Sequence, residues 1–82
     1  MFLAKVFIQL KPGVSDPQGQ TIRGGLRQLG FGSVESVRAG KFMQIRLDEK
    51  TQVEAESRVR EMCEKLLANP VIEDYSFELE QV

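Results

Sequence analysis

One cysteine, no histidine, twelve carboxylates and eleven bases carry the ionisable chemistry of this 82-residue chain. Without histidine the usual base near neutral pH is missing. An ordinary zinc site has no imidazole to draw on, and a lone cysteine forms no internal disulfide. Cys63 falls on the apolar stripe of a predicted helix, where cysteine serves as a small core residue. Glu54, Glu61 and Glu64 interleave with Arg58, Arg60 and Lys65, the spacing of a salt-laced solvent face. Neither pattern sets a nucleophile beside a base, so no catalytic constellation emerges, and no metal site.

Phosphate-binding patterns fare little better. Gly30-Phe31-Gly32 follows a helix rather than a strand and lacks the third glycine of a dinucleotide fingerprint. Asp16-Pro17-Gln18-Gly19 opens a helix, and helix N-termini attract anions. Asp16 would repel one, and it reads as the cap ahead of a proline in the first turn. The segment Arg38-Ala39-Gly40-Lys41 sets two cations around a two-residue turn, a mildly unfavourable pair across a ladder. Two readings stand: the pair is aimed at an anion or acidic partner, or Glu35 or another carboxylate neutralises it.

The elements that must position these groups follow from periodicity. Residues 2–11 alternate, with Ala4, Val6, Ile8 and Leu10 on one face and Leu3, Lys5, Phe7 and Gln9 on the other, which predicts a strand. Lys11-Pro12-Gly13 breaks it. Ile22, Gly25, Leu26 and Leu29 share one face of a helix that begins after Asp16 and ends at Gly30. Gly25 on that face predicts close packing on a sheet; nothing in the pattern accounts for Gly24. Val34–Arg38 and Lys41–Leu47 read as two strands joined by a hairpin at Ala39-Gly40. Thr51-Gln52-Val53-Glu54 is a capping box. It opens a second helix with the stripe Ala55, Val59, Met62, Cys63, Leu66 and Leu67, ended by Asn69-Pro70. Tyr75, Phe77 and Leu79 alternate with Asp74, Ser76, Glu78 and Glu80 in a last strand with an acidic outer face.

The order β-α-β-β-α-β predicts an α+β, ferredoxin-like single domain over residues 1–82. Its four-stranded antiparallel sheet runs 4-1-3-2, with both helices on one face. The other face would expose Leu3, Phe7 and Phe42 among charges, as a ligand platform or an oligomer interface. A domain this small has a thin stability margin, and oligomerisation is the remaining staple. The net charge of −1 hides a split: residues 1–47 hold seven bases and two acids, residues 48–82 four and ten. No apolar run reaches the length of a membrane span. A free thiol without an export signal points to the cytoplasm.

Two binding modules share the topology. RNA-recognition modules stack bases on sheet aromatics, and Val6-Phe7-Ile8-Gln9-Leu10 is loosely similar to their first motif. The strand Lys41–Arg46 then offers one aromatic where two are wanted, and the net charge opposes a phosphate backbone. An ACT-like amino-acid sensor would have to act in trans.

A more specific resemblance lies in the residues themselves. Lys5-Val6, Leu10-Lys11, Gly13-Val14, Asp16-Pro17-Gln18-Gly19, Leu29-Gly30-Phe31, Val37-Arg38, Gly40-Lys41 and the run Leu67 to Tyr75 together resemble the PurS family across almost the whole chain. PurS is the small subunit of bacterial and archaeal formylglycinamide ribonucleotide amidotransferase. The resemblance implies a non-catalytic assembly subunit of that ligase in purine biosynthesis. It would form a homodimer or homotetramer, join a glutaminase to a large synthetase subunit and help ammonia pass between them. It also implies no cofactor on this chain, with ATP and magnesium on the synthetase, and no nucleic-acid or membrane partner. From exposure and charge, Asp16, Gln18, Gly19, Arg38, Gly40 and Lys41 are expected to face partners. Leu3, Phe7 and Phe42 are expected at the oligomer interface.

Overall fold

The computed structural model describes all residues, Met1–Val82. Strand β1 (Phe2–Leu10) is central, flanked antiparallel by β2 (Gly40–Leu47) and β3 (Glu73–Gln81), so the sheet order is β2-β1-β3. The alternation of β1 decides the layering. Phe2, Ala4, Val6 and Ile8 are buried on one side, while Leu3, Lys5, Phe7 and Gln9 stand on the other. Val6 lies opposite Met43 on one flank and Phe77 on the other, so the apolar rows of all three strands align.

Helix α2 (Gln52–Met62) starts where Thr51 accepts a hydrogen bond from the Glu54 N–H at 3.2 Å. Ala55 and Val59, with Cys63 just beyond, are fully buried with the β1 row in the core. The guanidinium of Arg60 sits 5.8 Å from the Phe77 ring centre, holding α2 over β3. Beyond Met62 the chain widens into a π-helical turn, Cys63–Leu67, closed by the Ala68 N–H on the Cys63 carbonyl at 2.9 Å. The wider turn breaks the expected stripe: Leu66 points to solvent, although an unbroken helix would bury it.

Two further expectations are corrected. The segment Val34–Arg38 forms no strand, so the sheet has three strands rather than four and no hairpin joins residues 38 and 41. Its backbone groups are bonded elsewhere. Arg27 Nε donates to the Val34 carbonyl at 3.2 Å and Arg23 Nε to the Glu35 carbonyl at 2.8 Å. The Ala39 N–H donates to Asp16 at 2.8 Å. A backbone held by side chains in this way lends nothing to a ladder.

Nor do both helices cover the sheet. Helix α1 (Pro17–Gln28) stands off it, with Ile22 and Leu29 exposed and open space around the Cβ position of Gly25. Residues 11–39 form an arm leaving the end of the sheet where Gln9 pairs with Gly40. The molecule therefore measures 50 × 27 × 14 Å, with a radius of gyration of 16.2 Å. A compact chain of this length has about 12 Å.

Candidate functional site

One carboxylate braces the foot of the arm, next to the sheet. Pro17 has no N–H to offer and starts α1, which leaves Asp16 as its cap. Asp16 Oδ1 accepts from the Gly19 N–H at 2.9 Å, and Oδ2 accepts from the Ala39 N–H at 2.8 Å. One buried side chain thus ties the start of α1 to the residue before β2. The bond from Gly19, then that from Ala39, hold its carboxyl below the usual aspartate range against the opposing effect of burial; the charge of Arg38 adds less. Gly19 is required here, because a Cβ would overlap the Val37 carbonyl oxygen. Gly40 is required for the same reason, its Cβ position lying 2.6 Å from the Ile8 carbonyl oxygen.

Arg38 completes the junction from the other side. Its Nη2 donates to the Lys11 carbonyl at 2.9 Å and reaches that of Leu10 at 3.4 Å. The cation expected to face a partner is therefore bonded within the chain. Lys41 is different: it is exposed, 3.9 Å from Glu73 across the sheet end. Of the two readings of this cation pair, partial neutralisation has a visible agent, and it is Glu73 rather than Glu35.

The fold gathers Asp16, Gln18, Gly40 and Lys41 around one small cleft of about 160 Å³, with Glu73 on its rim. Gly19 and Arg38 fall in a second, shallower cleft on the other side of Asp16, beside Arg23 and Glu35. Asp16 and Gly19 are buried, so they shape the junction, while Gln18, Arg38, Gly40 and Lys41 are its exposed members. Arg23 and Arg27, which hold the loop to α1, were not singled out by the sequence. Their signal is faint but physical: two arginines at i and i+4 on a helix without a single acid must find acceptors elsewhere.

Leu3, Phe7 and Phe42 share the open face of the sheet, remote in layer from the junction. Phe7 and Phe42 are cross-strand neighbours, with ring centres 5.1 Å apart and planes inclined by 39°. Beside them run Asp74, Ser76, Glu78 and Glu80 of β3. Lys5 bridges to Glu80 at 2.7 Å, and this hydrogen bond raises the lysine above its ordinary range. A row of carboxylates next to the aromatic pair repels a phosphate backbone and suits a protein surface.

Chemistry centred on Cys63 is disfavoured by its surroundings. Burial, followed by the charge of Glu64, pushes the thiol up, away from the reactive thiolate. Tyr75 donates to Glu64 at 3.1 Å, and burial ahead of that bond raises the phenol too. No group of three or more Cys, Asp or Glu side chains is placed to hold a metal ion. No helix is long and apolar enough to cross a membrane.

Residues 3–81 match the family model described as PurS: Phosphoribosylformylglycinamidine (FGAM) synthase. The chain is 45% identical over 82 residues to the phosphoribosylformylglycinamidine synthase subunit PurS of Bacillus subtilis, covering all of this chain and 96% of that one. Its fold matches the crystal structure of Methanocaldococcus jannaschii PurS, one of the subunits of formylglycinamide ribonucleotide amidotransferase. There the TM-score is 0.90 at 44% identity, over 100% of this chain and 99% of the other. A chain in the structure of PurLQS from Thermotoga maritima matches with a TM-score of 0.86 at 30% identity, over 98% and 99%. Likeness in sequence and fold over the full length thus leads to one assignment: the chain belongs to the PurS family of phosphoribosylformylglycinamidine synthase subunits.

Proposed function

We propose that this chain is the assembly subunit of phosphoribosylformylglycinamidine synthase, the ligase that uses ATP and glutamine in purine biosynthesis. It takes no chemical step itself. It joins the glutaminase subunit to the large synthetase subunit and aids the passage of ammonia between their active sites. ATP and magnesium bind on the synthetase, and the complex works in the cytoplasm. The observation that carries this reading is the end-to-end likeness to a chain of the PurLQS structure.

The chain's own surfaces support the same role. Phe7 and Phe42 form an exposed aromatic pair on the open sheet face, with Leu3 farther along it. This face is the proposed interface of a homodimer or homotetramer. Gln18 and Lys41, at the junction cleft, are the proposed contacts to the unlike subunits, with Lys41 available for a charge-assisted bond.

Reconstitution tests the reading. The glutaminase and synthetase subunits are mixed with and without this chain, and glutamine-dependent formation of formylglycinamidine ribonucleotide is measured. The expected result is turnover that depends on the chain, with all three proteins co-eluting. Full glutamine-dependent turnover in its absence would overturn the assignment of role.

A further inference from the structure

Three arginines of the arm have no carboxylate partner. Arg23, Arg27 and Arg38 form no ion pair, while Arg58 forms two. Each is instead pinned to a backbone carbonyl. Arg23 and Arg27 use Nε, on Glu35 at 2.8 Å and on Val34 at 3.2 Å. Arg38 uses Nη2, on Lys11 at 2.9 Å and Leu10 at 3.4 Å. A guanidinium carries five N–H donors on one rigid plane. The carbonyl bond therefore fixes the plane and leaves donors over: both terminal nitrogens on Arg23, Nε and Nη1 on Arg38. A side chain already held in place loses less freedom when it binds an anion.

Arg23 and Arg38 line the same cleft, the one of about 480 Å³ between the start of α1, the loop at Pro12–Ser15 and the segment at Glu35–Arg38. That volume suits a small ligand, since such clefts run to about 300–1,000 Å³. Ser15, Ser36 and Gln20 line it too, and none of these side chains makes a hydrogen bond within the chain. Two carboxylates share the cleft. Asp16 has turned its oxygens to the N–H groups of Gly19 and Ala39, so it also occupies the start of α1. Glu35 pairs with neither arginine. Charge in the cleft is therefore balanced, and directed donors select the ligand. A carboxylate would bring only two oxygens to such an array, whereas a phosphate brings three or four around a tetrahedron.

We propose that this cleft is a phosphate-binding site, in which Arg23, Arg38, Ser15 and Ser36 donate to the oxygens of inorganic phosphate or of a small phosphomonoester. Arg27 is pinned as Arg23 is but lies outside the cleft, and it takes no part. The site adds a ligand to the chain and stands independently of the assembly role.

Titration with inorganic phosphate tests it, at an ionic strength held constant with sodium chloride. The arginine Nε–H signals are followed by nitrogen-15 NMR. Those of Arg23 and Arg38 are expected to move along one saturating curve, and those of Arg58 and Arg60 to stay in place. Arg23→Gln is expected to weaken binding about tenfold, and Arg27→Gln to leave it unchanged. Ser36→Ala keeps both arginine anchors and is expected to weaken binding about threefold, which separates loss of a donor from loss of loop structure. Saturation by ribose 5-phosphate at a lower concentration than by inorganic phosphate assigns a phosphomonoester as occupant; otherwise free phosphate is the occupant. Shifts that rise without saturation at every arginine would overturn the site. So would equal binding of acetate, or an Arg27→Gln loss as large as that of Arg23→Gln.

Discussion

The sheet with α2 and the arm are built from the same residue types but by different forces. The first closes around nine buried apolar residues, from Phe2 to Ala68, and its strands share long ladders. The arm contains no buried apolar side chain. What shapes it is polar: one carboxylate binding two backbone N–H groups, and three arginines binding carbonyls. Apolar packing gives the body its stability, because burial scales with area. Hydrogen bonds give the arm its direction, because each is specific in geometry yet modest in net stability. A region set by direction rather than by its own core is suited to meeting another chain.

The sharpest way to break this contrast is a pair of identical substitutions. Ile8→Ala removes a fully buried side chain and is expected to cost about 2–5 kcal/mol in urea denaturation. Ile22→Ala on the arm is expected to cost under about 0.5 kcal/mol where the chain is monomeric. A cost for Ile22→Ala that appears only at high protein concentration marks cover by a second copy; equal costs in dilute solution would erase the distinction.

Glycines give a second contrast with opposite signs. Gly19→Ala drives a methyl into the Val37 carbonyl and is expected to destabilise by about 1–3 kcal/mol. Gly24→Ala meets open space in the same helix and is expected to stabilise by about 0.5–1 kcal/mol through helix propensity. Thermal melts of both variants decide it. Matching signs would mean that the junction is looser than its hydrogen bonds indicate.

Asp16 gives the arm a dependence on pH. Its carboxyl titrates below the ordinary value in the fold, so the unfolded chain binds the proton more readily. Its contribution is complete above the ordinary aspartate value of about 3.9 and fades as pH falls through the lowered value. The stability gap between the native protein and Asp16→Asn is therefore expected to shrink on acidification from pH 7 to pH 2. A gap that holds constant would show that the carboxylate charge is irrelevant to the junction. The smallest effect on stability is expected for Lys41→Glu, since its partner Glu73 is 3.9 Å away and the lysine is exposed. That variant should fold normally and lower glutamine-dependent turnover of the reconstituted complex; unchanged turnover would remove Lys41 from the docking surface.

Much of the body was legible from periodicity. The alternation of Ala4, Val6 and Ile8, and of Tyr75, Phe77 and Leu79, placed two strands and their buried faces. The Thr51 cap placed the start of α2. Three features escaped. The run Val34-Glu35-Ser36-Val37-Arg38 alternates like a strand, yet its carbonyls meet Arg27 and Arg23, twelve or fewer residues back in sequence. The π-helical turn at Cys63–Leu67 turned Leu66 outward, and no spacing rule announces a fifth residue in a turn. Gly25 shares the apolar stripe of α1, but a stripe does not say whether a sheet lies against it, and here the space is open. At the junction, the residue types were visible but their roles were not. Asp16 reads as a cap from sequence; only the fold adds Ala39 to its bonds, and only the fold turns Arg38 back onto Leu10 and Lys11.

By itself the sequence determined the local chemistry: which segments alternate, where helices start, that histidine is absent, and that the residues together resemble PurS. These are properties of neighbours along the chain, and short-range sterics and hydrogen bonding set them. Tertiary structure alone decided that the arm leaves the sheet and that two clefts flank Asp16. Each of these depends on groups brought together from distant positions. For the exposed stripe on α1, the chain's own tertiary structure supplies no cover.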